Sequence, residues 1–340
     1  MPSSKYLPYD RIVSNDGIVF EVQSGNSPDE HFVIGRPKFF AKELFAPSLG
    51  SVYWCDQDWF KIPLSPQLYP QSNRLIRAIN PTYCIQTLED ISVLEYYSIP
   101  IENIVGHFIP VNSPSELPTK QCKTNRDARE MLELLRSEGL GNVIGIGGSI
   151  MMGLSGDYSD IDLEVYGAEN LDAVVDSLLA HKKVTPRSIE ELERRYEAFN
   201  EQFKSWISLE EYIFMEKRKI NRGYFNGTKL TINTVDKVNH PKIPTERFEH
   251  NVNIIGVVTD DHHTFTHPAS FGVRSIYSER APTAHEVAVT SLSRIFIDPT
   301  KLGETCEIRG YLNAGKDKLI VHHLYGGIKC VILYLSEATI

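Results

Sequence analysis

The sequence predicts an α/β (α+β) core with a mixed sheet, flanked by a β-rich domain on each side. Short strand patterns separated by turns fill the first part of the chain, helical and strand patterns then alternate, and strand patterns return toward the end. We therefore expect a β-rich N-terminal domain over residues 1–115, the core over residues 116–240, and a β-rich barrel or sandwich over residues 241–340.

The N-terminal domain begins with a hairpin signal. Asn15-Asp16-Gly17 separates two strand patterns, and Asp-Gly pairs favour the tight turns of β-hairpins. A third strand is predicted over residues 31–34, ended by Gly35 and Pro37. The aromatic segment over residues 39–81 favours core packing over base stacking. A helix over residues 88–97 and a strand over residues 104–109 complete this domain.

In the core, apolar residues at helical spacing predict a helix that is capped by Thr124 or Asn125 and ends at Gly139. Asn226-Gly227 separates two strand patterns and predicts a hairpin. Three further helices are predicted, one over residues 171–181 and two after the capping-box sequences that begin at Ser188 and Ser208. The C-terminal domain contains strand patterns over residues 252–258, 270–275, 293–297, 306–312, 318–321 and 329–335.

Residues 141–167, GNVIGIGGSIMMGLSGDYSDIDLEVYG, carry the chemistry of the chain. A short apolar strand leads into the turn Gly147-Gly148-Ser149, and a second strand begins near Asp160. Side chains alternate along a strand, so Asp160, Asp162 and Glu164 share one face and apolar residues take the other. An acidic strand face is costly unless it holds a cation. The glycine turn also allows a backbone to approach phosphate closely.

Gly148-Ser149 followed by Asp160-Ile161-Asp162 resembles the signature of the polymerase-β nucleotidyltransferase superfamily, with Gly153 and Ser159 matching its small members. The wider layout, including the hairpin residues 16–20 and Gly310-Tyr311-Leu312, is similar to an archaeal family of predicted nucleotidyltransferases. The resemblance implies an α/β nucleotidyltransferase core that moves a nucleoside monophosphate from an NTP to an acceptor, with RNA or a protein as alternatives.

The same resemblance implies the roles of individual residues. Asp160 and Asp162 are the catalytic residues and metal ligands, and they would hold up to two Mg²⁺ ions. The nucleotide-binding residues that it implies are Gly147, Gly148, Ser149, Gly153 and Ser159.

Two departures from the family pattern concern charge. Small members carry an Arg just after Gly-Ser, where this chain has Ile150, so Arg222 and Lys229 are candidates for the triphosphate, with a solvated helix end as the alternative for the basic run over residues 217–222. The neighbouring strand that should supply a third carboxylate offers Asn233, a neutral residue that could still act as a weak ligand and that we count among the nucleotide-binding residues. Glu164 shares the right face but lies about 7 Å beyond Asp162 along the strand. A catalytically lapsed module that binds nucleotide or RNA is therefore the alternative function.

Composition limits the other possibilities. A net charge of −9 argues against a general nucleic-acid coat protein. Five scattered cysteines without a Cys-x-x-Cys pair indicate reduced thiols, and the absence of a signal core or membrane span predicts a cytoplasmic protein without a membrane partner.

Two other motifs are weaker. The residues 260–263, Asp-Asp-His-His, with His267 could form a metal cluster, but their spacing matches no standard metal site and favours a polar hairpin tip. A dinucleotide-binding turn at residues 145–148 is disfavoured because the acidic residues are paired.

Overall fold

The computed structural model describes residues 5–24, 31–44, 53–54, 59–61, 69–90, 93, 95–199, 201–236, 241–244, 246–278, 285–322 and 327–330. The chain divides into two compact units. The first comprises Met1–Pro186 with Asn221–His240, and the second comprises Arg187–Ile220 with Pro241–Ile340. In the described part of the chain, no helix has both the length and the apolar character that crossing a bilayer requires.

The first unit begins with a seven-stranded antiparallel sheet. Its strands are β1 (Arg11–Ser14), β2 (Ile18–Ser24), β3 (Phe32–Ala41), β4 (Tyr53–Trp54), β5 (Trp59–Lys61), β6 (Tyr97–Pro100) and β7 (Ile104–Phe108). They lie in the order β4-β5-β3-β2-β1-β7, and β6 pairs with β3. Two helices, α1 (Tyr69–Ile79) and α2 (Gln86–Asp90), belong to the same region. Alternate residues of β2, such as Phe20, enter an apolar core.

The predicted hairpin is confirmed, and Gly17 adopts the positive φ of +79° that its turn requires. The predicted end of the third strand is wrong, because β3 continues through Pro37 to Ala41. Pro37 pairs with Phe20 where the register shifts between Val19 and Phe20. An irregularity in the ladder accommodates a residue that has no N–H to donate.

The rest of this region follows the predictions in part. The strand over residues 104–109 is confirmed as β7. The helix over residues 88–97 is wrong in extent, since α2 ends at Asp90 and β6 begins at Tyr97. Residues 91, 92 and 94 of that prediction lie outside the described residues. Helix α1 falls in the aromatic segment, where the sequence analysis predicted no helix.

A second, five-stranded sheet completes the first unit. Its strands are β8 (Ile144–Ile146), β9 (Ile161–Tyr166), β10 (Val184–Thr185), β11 (Arg222–Phe225) and β12 (Thr228–Val235), in the order β10-β11-β12-β9-β8. The pair β9–β12 is parallel and the other pairs are antiparallel. The helices of this region are α3 (Lys123–Ser137), α4 (Gly148–Met151) and α5 (Leu171–Ala180). The hairpin at Asn226-Gly227 is confirmed.

The second unit contains a closed barrel. Its strands are β13 (Phe248–His263), β14 (Ala269–Ser278), β15 (Glu286–Ser291), β16 (Thr305–Asn313), β17 (Lys318–Val321) and β18 (Gly327–Cys330). The path β13-β14-β15-β17-β16 returns to β13 through the β13–β16 pairing, and β18 pairs with β16. Only the β15–β17 pair is parallel among these described strands.

Three helices pack with the barrel: α6 (Ile189–Glu197), α7 (Glu201–Lys204) and α8 (Leu209–Lys217). Leu192, Tyr212 and Phe203 share one buried apolar cluster with barrel residues such as Ile308. Both capping-box sequences begin helices. Ser208 and Glu211 form the complete reciprocal cap, whereas the Ser188 hydroxyl accepts from the N–H of Glu191.

The predicted strand over residues 293–297 is wrong, because this segment contains a short 3₁₀ turn, Arg294–Phe296. The strand over residues 329–335 is described only as far as Cys330, and its remainder lies outside the described residues.

The expected fold class, an α/β nucleotidyltransferase core with β-rich flanks, is wrong. The described chain is β-rich, with 38% strand and 30% helix, a closed five-stranded barrel and mostly antiparallel strand pairs. The prediction assigned the helices of residues 188–220 to the core domain over residues 116–240. Their apolar faces are instead buried against the barrel, where they belong to the second unit. Local helical patterns carry no information about which sheet a helix will cover.

Candidate acidic site on strand β9

Strand β9 lies between β8 and β12 and brings polar residues from two strands to one face. Asp162 pairs in register with Thr231, and Glu164 pairs with Asn233. Neighbours in register point to the same side of a sheet, so these four side chains share a face. The residues on the opposite face, Ile161, Leu163 and Val165, are buried and apolar. The predicted separation of polar and apolar faces on β9 is present.

Burial increases along the acidic face. Asp160, just before β9, is exposed; Asp162 is half-buried; and Glu164 is 1% exposed. A ligand arriving from solvent would therefore meet Asp160 first and Asp162 next. Glu164 lies at the inner end of this face, where a charge is costly unless it is compensated.

The glycine turn lies directly against this face. A Cβ atom added to Gly148 would lie less than 3.0 Å from Oδ2 of Asp162, and one added to Gly147 would lie 2.5 Å from Oε1 of Glu164. Gly148 also has a φ of +62°. The N–H of Gly147 donates to the carbonyl oxygen of Asp162 at 2.9 Å. Both glycines are thus needed for close approach to the carboxylates, a role that the motif alone did not indicate.

Asn233 is the most unusual polar residue of the site. It is 2% exposed, and neither Oδ1 nor Nδ2 has a hydrogen-bond partner among the described residues. A buried polar group without a partner costs about 1–3 kcal/mol. Its amide oxygen belongs to the class of ligands that Mg²⁺ and Ca²⁺ accept. The side chains present on this face therefore fit a hard cation.

Two predicted phosphate-binding residues lie on the same face. Arg222 of β11 pairs with Thr231, which in turn pairs with Asp162. Lys229 precedes Leu230, the partner of Ile161, so it lies level with Asp160 and is exposed. The sheet thus places one basic side chain in each of the two rows that contain Asp160 and Asp162.

The other predicted nucleotide-binding residues differ in their surroundings. Ser149 is half-buried in the short helix α4. Gly153 has a φ of +74° and open space around it. The hydroxyl of Ser159 accepts from the N–H of Gly156 at 2.9 Å, so this side chain holds the local turn. The hydrogen bond of Ser159 therefore indicates a positioning role.

Sequence reasoning missed the anchor of the loop before β9. Thr124 and Asn125, predicted as helix caps, lie inside the first turn of α3 and are fully buried. The hydroxyl of Thr124 donates to the carbonyls of Gly156 and Ser159, and Asn125 accepts from the hydroxyl of Ser155 at 2.6 Å. The prediction that either residue is the N-cap is wrong, because their side chains bond to this distant loop instead.

Tyr166 continues the acidic face beyond Glu164. Burial, followed by the negative charges of Glu164 and Asp10, raises the pKa of the Tyr166 phenol. The inner end of the face is a region of low dielectric in which an added negative charge is unfavourable.

Among the described residues, no group of three carboxylates converges on this face. Within the described residues, Asp160, Asp162 and Glu164 do not bring three ligand oxygens within 4.8 Å of one another. A metal held here would use the two aspartates with Asn233 or a bound ligand. The third-carboxylate position of the expected site is therefore neutral in this chain.

In the second unit, the polar residues over 260–263 lie at the end of β13. Asp260 accepts from the N–H of His262 at 3.0 Å, and Asp261 accepts from the N–H of Leu302 at 2.9 Å. Both carboxylates thus satisfy backbone donors near the end of a hairpin.

Comparison with protein-family models, with curated proteins and with solved structures finds no match for this chain. The resemblance to the polymerase-β superfamily therefore stays a prediction drawn from the motif.

Proposed function

We propose that this chain binds a nucleoside triphosphate with Mg²⁺ at the acidic face of β9 and transfers its nucleoside monophosphate to a hydroxyl or phosphate acceptor. The observation that carries the proposal is the contact between Gly148 and Asp162. This contact brings the glycine turn and the acidic strand of the motif together, which supports the proposal that they act as one site. The proposal rests on these side chains and not on a fold class.

The charges on this face support the proposal. Asp160 is exposed and Asp162 is half-buried, and the buried amide of Asn233 adds an oxygen with no partner among the described residues. These residues would hold Mg²⁺. When bound, the ion would neutralise phosphate oxygens and lower the barrier to transfer.

The basic residues would complete the phosphate site. A triphosphate brings several negative charges to a face that is already acidic, so cations must lie near it. Arg222 and Lys229 lie level with Asp162 and Asp160 on that face. A planar guanidinium can donate to two phosphate oxygens at once. These residues would orient the triphosphate and reduce its repulsion from the aspartates.

The test is transfer of label from α-labelled ATP, GTP, CTP or UTP, with pyrophosphate release measured in parallel. Asp160→Asn and Asp162→Asn are each expected to lower the rate about a thousandfold, since a metal ion supplies several kcal/mol to such a transition state. Asp176→Asn, an exposed carboxylate on α5, is the matched control and should leave the rate unchanged. If no label is transferred from any of the four NTPs to a hydroxyl compound, an RNA or a protein acceptor, the proposal is overturned.

A second function, Mg²⁺-dependent binding of nucleotide or RNA without turnover, is favoured by one observation. The position beside Glu164 is the neutral Asn233, and no third carboxylate converges on the two aspartates within the described residues. Calorimetry distinguishes the two functions. Binding of an NTP or of RNA that requires Mg²⁺, without pyrophosphate release, would support the second function, whereas pyrophosphate release would exclude it.

A further inference from the structure

Tyr158 is unusually exposed for an aromatic side chain. Its exposed fraction is 103%, whereas the next most exposed large hydrophobic residue in the described chain, Val105, reaches 68%. Tyr158 lies two residues before Asp160, in the loop that leads into β9. Its ring therefore stands in solvent beside the outer end of the acidic face.

The turn that carries Tyr158 is closed by reciprocal hydrogen bonds. The N–H of Ser159 donates to the carbonyl of Gly156 at 3.0 Å, and the N–H of Gly156 donates to the hydroxyl of Ser159 at 2.9 Å. Residues 156–159 thus form a closed four-residue turn. Such a turn fixes the backbone on both sides of the aromatic residue.

Helix α3 also holds this turn. The hydroxyl of Thr124 donates to the carbonyl of Gly156 at 2.8 Å and to that of Ser159 at 3.1 Å. The carboxylate of Asp157 accepts from the N–H of Lys123 at 2.8 Å, which satisfies a free donor at the start of the helix. An exposed loop is ordinarily mobile, whereas this one is bonded on both sides of Tyr158.

A fixed aromatic ring in water is suited to binding another flat ring. Holding the backbone in place removes part of the ordering cost of binding, and the tyrosine side chain has only two rotatable angles to fix. Bases stack on such rings whatever their hydrogen-bonding edges are. The rigid turn therefore presents a ready surface for a nucleobase.

We infer that Tyr158 stacks on the base of the bound nucleoside triphosphate, an inference that rests on the proposed function. Two residues of chain span at most about 7 Å, so the Tyr158 backbone lies within about that distance of Asp160. With the phosphates at the glycine turn and the two aspartates, the nucleoside extends outward toward Asp160 and Tyr158. The inner end of the face is closed to it by the burial of Glu164 and Asn233.

The experiment compares ligands with and without a base. Calorimetry in Mg²⁺ measures the affinities of ATP, GTP, CTP, UTP and inorganic tripolyphosphate for the full chain. Tyr158→Ala is expected to lower the affinity for each NTP about five- to 150-fold, since this is the contribution of one base–aromatic stack to affinity. The affinity for tripolyphosphate should not change. Tyr158→Phe should retain NTP affinity, and Tyr277→Ala, at an exposed tyrosine of the second unit, is the control.

The outcomes separate this inference from the proposed function. Unchanged NTP affinity in Tyr158→Ala, with normal binding by the wild type, would overturn the stacking alone. Equal weakening of NTP and tripolyphosphate would also overturn it, because a general disturbance of the site would then be the cause. Failure of the wild type to bind any NTP would overturn both.

Discussion

The carboxylate of Asp162 lies in the space that a side chain at Gly148 would occupy. A Cβ atom at Gly148 would approach Oδ2 of Asp162 to less than 3.0 Å, and the φ of Gly148 is +62°. The glycine turn and the acidic strand are therefore one structural unit. Substitution of either residue affects the geometry of the other.

Gly148→Ala is expected to lower the free energy of unfolding by about 1–3 kcal/mol and to abolish Mg²⁺-dependent NTP binding. The positive φ accounts for about 1–2 kcal/mol of this, and displacement of Asp162 for the rest. Urea unfolding and calorimetry measure the two effects. Gly139→Ala, with a φ of +81° and nothing within 4 Å, is the control, and it should show the strain without the loss of binding. Full binding by Gly148→Ala would contradict the expectation.

Asn233→Leu is expected to preserve or raise the free energy of unfolding, by up to about 1 kcal/mol. The substitution removes two buried polar atoms that have no partners among the described residues, and replaces them with apolar atoms of similar volume. The Mg²⁺-dependent binding of an NTP should weaken, because the substitution removes the amide oxygen that would ligate the ion. Thermal unfolding with and without Mg²⁺ tests both effects. A loss of more than about 2 kcal/mol would indicate that the amide is already well bonded.

Thr124→Val is expected to loosen the turn that carries Tyr158. The substitution keeps the shape of the side chain but removes the donor to the carbonyls of Gly156 and Ser159, at a cost of about 1–2 kcal/mol. Hydrogen exchange at the N–H of Ser159 should become faster. Ser137→Ala, which removes an exposed hydroxyl bonded to Leu134 within the same helix, should leave that exchange unchanged. Equal exchange in the wild type and Thr124→Val would show that α3 does not hold the turn.

Asp298→Asn is expected to stabilise the protein at pH 7. Asp298 is 3% exposed, and burial raises the pKa of its carboxyl above the ordinary 3.8 even though Lys301 lies 2.6 Å away. A raised pKa means that this group favours folding below pH 3.8 and that its contribution is lost as pH rises through the folded value. The gain from the substitution should therefore appear at pH 7 and vanish below pH 3.8.

Urea unfolding at both pH values measures the effect of Asp298→Asn. Asp317→Asn is the opposite control, because the hydrogen bond from Asn313 lowers the pKa of that exposed carboxyl. Its contribution to stability is present above pH 3.8 and is lost as pH falls, so Asp317→Asn should give no gain at pH 7. A loss of stability at pH 7 in Asp298→Asn would mean that the charge pair with Lys301 outweighs burial.

Lys219→Met is expected to destabilise the second unit by about 1–3 kcal/mol. The ammonium of Lys219 is fully buried and donates to Glu216 and to the carbonyl of Ile295. After the substitution Glu216 keeps its other ion pair, with Arg187 at 3.1 Å, but it loses the Lys219 ammonium, and the carbonyl of Ile295 loses this donor. Lys204→Met, which removes surface pairs with Glu197 and Glu201, should destabilise the protein far less, because exposed ion pairs contribute little. Similar small losses in both variants, measured by urea unfolding, would refute the expectation.

Several elements could be predicted from the sequence because their cause is local. The Asn15-Asp16-Gly17 and Asn226-Gly227 turns define hairpins through positive φ angles. The alternation in β9 decides that Asp162 and Glu164 face one way. The alternation in β12, the sheet neighbour of β9, likewise places Asn233 on the same face as the carboxylates.

Contacts between distant segments decided the rest. Residues 188–220 carry strong helical signals, but whether their apolar faces cover the central sheet or the barrel depends on the shape of both. Thr124 and Asn125 are good caps by composition, yet their buried hydroxyl and amide groups found partners in residues 155–159. Pro37 continues a strand because the register shifts opposite it. None of these contacts can be predicted from the residues that are close to each segment in the sequence.

The sequence by itself therefore determined which side chains share a strand face and where the tight turns lie, because backbone geometry repeats over two to four residues. Only the tertiary structure decided that Gly148 lies against Asp162 and that α3 fixes the turn of Tyr158. It also decided that the helices predicted for the core domain pack against the closed barrel. Burial of apolar surface and satisfaction of buried polar groups act between segments far apart in sequence, so their outcome depends on the whole fold.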